Sequence, residues 1–223
     1  MMVNFDFLSN TINLDEDKTS VLYIENPKLF RNVYGAFVND ETETENIVFS
    51  ENFVPFKTKG NVCVIDDLFR LSYSNTIMKK LYEQLEKYCN YELQKETIEL
   101  KTHLVNFTEQ LIEAFDYDFE FNYDISLLEL FKALNIKPDT DTANELDVLR
   151  DFITLLNKYV PPKCFVLLNL HLYFTGEELD LFYKDIVNNH IKLLVIENKK
   201  TSSKSIYEKV VVFDNDLCEI IEN

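Results

Sequence analysis

The sequence predicts a mixed α/β protein in which a mostly parallel sheet is interrupted by an inserted helical domain. Three observations predict it. KCFVLLNL (163–170) and KLLVIEN (192–198) are near-continuous apolar runs, as strands buried on both faces are. TGEELDLFYKDIVNNH (175–190) lies between them with helical spacing, so the three make a β-α-β unit with parallel strands and a right-handed crossover. Finally, from Asn75 to Phe115 there is neither glycine nor proline, and apolar residues recur at helical spacing.

Taken in order, VNFDFLS near the start alternates like a strand, and SVLYIEN (20–26) is a short β-rich run. PKLFRNVYGAF reads as a helix opened by Pro27 at its first turn, where a missing N–H costs nothing. NDETETEN (39–46) is an acidic loop, and NIVFS and NVCVIDD are two further strands, the second ending in Asp66 and Asp67. The long helical stretch carries two apolar blocks. One runs from Ile77 through Leu81 and Leu85 to Cys89, the other from Leu104 through Phe107 and Leu111 to Phe115. The more polar CNYELQKETIELK between them holds a bend or turn, and the apolar stripes themselves suit a core or a subunit interface. DISLLELFKALNIK and TANELDVLRDFITLLNKYV are two more helices, the latter stopped by Pro161 and Pro162. Thr175 and Glu178 stand in capping-box spacing, and KVVVFDNDL closes the sheet. Residues 1–72 and 161–223 are thus expected to form the α/β head, and 73–160 the helical domain.

Composition narrows the function. With 46% hydrophobic residues among 223, the chain has material for a real core. No apolar run is long enough to predict a membrane helix, and MMVNFDFLSN does not read as a signal peptide. Cys63, Cys89, Cys164 and Cys218 have no zinc spacing and read as reduced thiols of a cytoplasmic protein. His103, His171 and His190 stand apart, and no metal site or nucleophilic triad is built from them. Only three glycines are present, Gly35, Gly60 and Gly176, so neither a phosphate-cradling loop nor a dinucleotide fingerprint exists. The net charge of −17 opposes nucleic-acid binding on average, unless basic residues gather on one surface.

The candidate chemistry centres on FDYDFEFNYD (115–124), where aromatics alternate with acids. As a strand it would bury one side and turn the other to water or to a hard cation, which takes six to eight oxygens. Asp118, Glu120, Asn122 and Asp124 would share that second side, with Glu129 leaning back from the next helix. Ser126 and Glu129 also have capping-box spacing, so the acids could equally be a wet face and a helix start. Asp66 and Asp67 resemble a Mg²⁺-holding strand end, but without a phosphate loop a strand end and turn is the better reading. Basic residues come in small groups: Lys57 with Lys59, Lys79 with Lys80, Lys132 with Lys137, and Lys199 with Lys200 and Lys204.

Three segments together carry a family resemblance: VNFDFLSNTINLDEDKTSVLYIENPKLFRNVY, DFEFNYDISLLELFKALNIKPDT and KCFVLLNLHLYFTGEELDLFYKDIVNNHIKLLVIENKK. The chain resembles the small CRISPR adaptation proteins of type II-A systems, with residues 40–75 matching weakly. The resemblance implies a head similar to the P-loop nucleotide-hydrolase fold without a working P-loop, and a non-enzymatic protein. It implies ring-shaped homotetramers that bind double-stranded DNA ends during spacer acquisition, alongside the integration complex and the RNA-guided nuclease of the same locus. It implies calcium-dependent DNA binding, with Ca²⁺ near a hinge holding the shape that DNA needs and Glu120, Asp124 and Glu129 falling at the family's acidic cluster, although one residue is missing before Ile125. It implies a lysine-lined DNA channel, to which Lys132 and Lys137, then Lys79 and Lys80, are assigned. The competing expectation is an acidic protein–protein adaptor with a vestigial hydrolase fold. Lysines converging on a concave surface favour DNA; lysines dispersed among acids favour the adaptor.

Overall fold

A computed structural model describes residues 1–44, 46–71, 73, 75–139, 144–201 and 205–222. The chain divides into two compact units, Met1–Ser72 with Asp141–Asn223, and Tyr73–Thr140.

The first unit holds two sheets. In the smaller, β1 (Met2–Asn4), β2 (Ile12–Asn13), β4 (Val48–Glu51) and β5 (Val54–Phe56) pair antiparallel in the order β2-β1-β4-β5. The larger contains β3 (Thr19–Ile24), β6 (Val62–Ile65), β7 (Cys164–Leu168), β8 (Leu193–Glu197), β9 (Glu208–Phe213) and β10 (Glu219–Glu222). Its order is β10-β9-β3-β8-β7-β6, parallel throughout except for β10 at the edge. Every residue of β3, β7 and β8 is buried, which is why these runs show no polar alternation. Burying one such Leu or Ile side chain stabilises the fold by about 1.5–3 kcal/mol.

Helices cover this sheet. In α1 (Pro27–Val38), the Asn26 side chain accepts from the N–H groups of Lys28 and Leu29. The apolar stripe of α5 (Glu145–Tyr159) is buried at Leu146, Leu149, Phe152, Ile153 and Leu156. In α6 (Gly176–Asn188) the capping box is complete: Thr175 accepts from the Glu178 N–H, and the Glu178 carboxylate accepts from the Thr175 N–H. The small sheet joins the same core, because Val3 and Phe49 cluster with Leu22, Ile24 and Ile196 of the large one.

Two expectations are corrected. Residues 145–159, assigned from sequence to the helical domain, belong to the first unit, whose core takes up the five buried side chains of α5. The stretch 115–124 forms no strand. A strand exists only through a partner's backbone, and neither sheet contains this segment.

The second unit is helical. α2 (Asn75–Tyr91) and α3 (Gln94–Glu113) are separate helices, broken at Glu92 and Leu93 inside the polar stretch. The buried Thr97 hydroxyl donates to the Cys89 carbonyl, satisfying one of the acceptors left open at the end of α2. A short α4 (Leu127–Ala133) follows, with the Ser126 hydroxyl accepting from the Glu129 N–H. The fully buried cluster here is small: Tyr82, Leu127 and Phe131, with Met78, Leu85 and Ile136 against it.

Candidate nucleic-acid interface

The end of α4 is what brings lysines together. Asn135 adopts the left-handed conformation, φ 50°, which asparagine tolerates better than most residues. Its N–H donates to the Lys132 carbonyl at 2.9 Å, and the next N–H, of Ile136, donates to the Phe131 carbonyl at 3.1 Å. This is a Schellman closure, which reverses the chain immediately after the helix. Ile136 then packs on the small core, and its carbonyl accepts the buried Tyr82 hydroxyl at 2.9 Å. The reversed chain is thereby tied to α2, and Lys137 returns to the side where Lys132 and Lys79 project.

The result is a hollow of about 650 Å³ within this unit. Lys79, Lys132 and Lys137 line it with Asn75, Asn135, Tyr73, Met78 and Tyr82, and among the described residues no carboxylate lines it. Three of the four lysines singled out from sequence thus converge. Lys80 does not line the hollow, because adjacent helical residues are about 100° apart around the axis. The other basic groups are dispersed: Lys57 pairs with Glu43, Lys59 with Asp40, Lys200 with Glu222 and Lys209 with Asp15. Lys204 lies outside the described residues.

The three carboxylates assigned to a cation are not gathered. Glu120 shares a separate hollow with Glu109 and Glu113 of α3. Asp124 is exposed and pairs with Lys101 at 3.7 Å, and Glu129 is held by Lys132 at 2.6 Å instead of completing a capping box with Ser126. Among the described residues, no three histidine, cysteine, aspartate or glutamate side chains compose a metal-holding group. As placed, these residues do not fit a calcium site. Nor do the aromatics of the stretch form a buried face, since Phe115, Tyr117, Phe119 and Tyr123 are all more than half exposed.

In the first unit, Asp66 and Asp67 behave as a strand end and turn: Asp67 accepts from the Phe69 N–H and pairs with Arg70 at 3.8 Å. Burial pushes the Cys63 thiol up to about 11 and the Cys164 thiol to about 12, which keeps both unreactive.

A buried polar cluster in the same unit was not foreseen. His171, only 9% exposed, follows β7, with its Nδ1 2.9 Å from the Tyr23 hydroxyl and its Nε2 2.5 Å from the Tyr183 hydroxyl. Glu208 Oε1 stands 3.4 Å from Nε2, and Glu197 Oε1 accepts the His171 N–H at 2.8 Å. The cluster joins β3, β8, β9 and α6. Burial pushes the Glu197 carboxyl up to about 7, against the opposing pull of His171. Residues scattered from 23 to 208 leave no spacing signal by which sequence reasoning could find them.

The fold and this geometry define a mixed α/β protein with an inserted helical unit that offers a concave cationic surface. The family model described as CRISPR-associated protein (Cas_Csn2) matches residues 38–217, and the chain belongs to this family of CRISPR adaptation proteins. It is similar to the CRISPR-associated protein Csn2 of Enterococcus faecalis, 26% identical over 212 residues, which cover 93% of this chain and 94% of that protein. Among the described residues, no helix is long and apolar enough to cross a membrane.

Proposed function

We propose that this protein binds double-stranded DNA ends without reading their sequence, as a homotetrameric ring, during spacer acquisition. The observation that carries the reading is the convergence of Lys79, Lys132 and Lys137 on one hollow that no carboxylate lines among the described residues, in a chain of net charge −17. Phosphate contacts from lysine position a protein on DNA and carry no sequence information. The acids elsewhere keep the assembly soluble and repel duplex from the remaining surface. This concentration of lysine favours DNA over the acidic adaptor, whose cations would all be paired locally.

Self-association is supported by α3. Ile98, Phe107 and Leu111 are each about half exposed or more, and only Thr97 of that helix is buried. A second copy is the partner such a surface fits, and a ring would place several lysine hollows along one duplex. The role is non-catalytic and takes no nucleotide. At the turn after β3, where a nucleotide hydrolase would cradle phosphate, Asn26 occupies the helix's own N–H groups and Pro27 removes another. A nucleotide-hydrolase ancestry for the head is part of this reading. So are the cytoplasm as its site of action and the integration complex and RNA-guided nuclease of the locus as partners. Calcium at the acidic segment belongs to it on family grounds alone; no step of DNA binding is derived through the ion.

The test is a gel shift with linear and covalently closed circular duplexes of one sequence, each in Ca²⁺ and in EDTA. Linear DNA is expected to bind, more weakly as salt rises, while closed circles, having no end to thread, stay free. Absence of binding to either form at low salt overturns the DNA reading in favour of the adaptor.

A further inference from the structure

The lysine hollow is concave, and this bears on what enters it. A continuous duplex presents its backbone as a ridge on a broad cylinder, which touches the rim of such a hollow. At about 650 Å³ the space is that of a small-molecule pocket, and a terminal group or a compact anion fills it. Its charge points the same way. Three ammonium groups, with no carboxylate lining the hollow among the described residues, suit more than one negative charge on a single small group. A phosphate monoester carries about −1.5 to −2 at pH 7 with three acceptor oxygens, whereas each backbone phosphate carries one charge.

The hollow is also preorganised. Tyr82 is nearly buried at its floor, and its hydroxyl is committed to the Ile136 carbonyl, one residue before Lys137. Asn75 and Asn135 place side-chain amides on the lining as neutral donors to phosphate oxygens. Glu129 touches Lys132 from outside the lining, in a pair whose two side chains are 70% and 56% exposed. Such a pair is a weak competitor.

We infer that this hollow is a phosphate-monoester site whose occupant, on the DNA-end reading above, is the terminal phosphate of a 5′-phosphorylated strand. The same chemistry is offered by a small free phosphate compound, and the test separates the two.

Two short duplexes of identical sequence, one with 5′-phosphates and one with 5′-hydroxyls, are compared by fluorescence anisotropy in EDTA. The phosphorylated duplex is expected to bind about tenfold more tightly, the size of a charge-assisted contact. The gap should narrow below about pH 6, where the monoester gains a proton. It should vanish in the double variant Lys79→Gln with Lys137→Gln and persist in Lys95→Gln. All three positions are exposed, so the fold is retained. Equal affinity for the two duplexes overturns the monoester site and leaves DNA-end binding standing; a gap that survives in the double variant overturns it too. If neither duplex binds in EDTA or in Ca²⁺, the DNA reading fails, and pyrophosphate is titrated while the Asn135 and Lys137 amide resonances are followed. Saturable shifts that the double variant loses support the site with a free phosphate as occupant. Unmoved resonances overturn it.

Discussion

The strand β7 and the helix α3 are both rich in apolar residues, yet all five residues of Cys164–Leu168 are buried and only Thr97 of Gln94–Glu113 is. Within the first unit the chain supplies its own cover: neighbouring strands on both sides and helices over the sheet. Within the second, α2 and α4 share a cluster of three buried residues, and Phe107 and Leu111 of α3 stay in water. Apolar content is therefore used twice. In the head it stabilises one chain; in the helical unit it provides surface that a second chain can cover.

The largest expected effect comes from breaking the head. Leu194→Ala, at a fully buried position of β8, should cost about 2–5 kcal/mol in denaturant unfolding. Phe107→Ala, 64% exposed, should move the unfolding free energy by no more than about 0.5 kcal/mol. It should instead shift sedimentation velocity toward smaller species. An equal loss of stability from both substitutions would erase the contrast between the units.

Glu197→Gln tests the polar cluster inside the head. The folded carboxyl holds its proton up to about pH 7 and the unfolded one releases it from 4.5, so between these values the folded state binds more protons. Stability from this group is complete below the unfolded pKa and is lost as pH rises through the folded one. Glutamine keeps an acceptor for the His171 N–H and removes the titration. The melting temperature of the variant relative to wild type should thus climb between about pH 5 and pH 8, by on the order of 5 °C. A difference that does not change with pH would show that Glu197 does not titrate in this range.

Thr175→Ala removes the side-chain half of the capping box of α6 and should cost about 1 kcal/mol by thermal melting. The smallest effect is in the helical unit. In EDTA, Glu129→Gln frees Lys132 and should strengthen DNA binding by no more than about fivefold, since an exposed ion pair is worth under about 1 kcal/mol. Weaker binding in EDTA would mean that Glu129 serves the site in some other way than by competing for Lys132.

Much of the head could be read from sequence because its signals are local. Buried parallel strands appear as unbroken apolar runs, and Thr175 with Glu178, and Pro27, mark helix starts. The break between α2 and α3 fell in the polar stretch that suggested it. What escaped depends on pairing at a distance. The small antiparallel sheet, the edge strand β10 and the hydrogen bond between Tyr23 and His171 join segments with no shared pattern. The alternation in 115–124 misled for the same reason: period two describes which way side chains would point in a strand, not whether a partner strand is there. Of the candidate site, the lysines were legible by residue type. Their convergence was not, because it hangs on the left-handed turn at Asn135.

Strand order also sets a timetable. β3, buried along its whole length, pairs with β8 at Val21↔Val195 and with β9 at Val21↔Val210, and with nothing made earlier. As the chain leaves the ribosome, its most apolar early strand waits unpaired while the helical insertion, rich in local contacts, is already able to form. Two long loops must close late, which slows nucleation of the sheet. A chain halted before Leu193 would expose the Thr19–Ile24 strand on both edges. Such a fragment should aggregate or recruit a chaperone, where the finished chain does not.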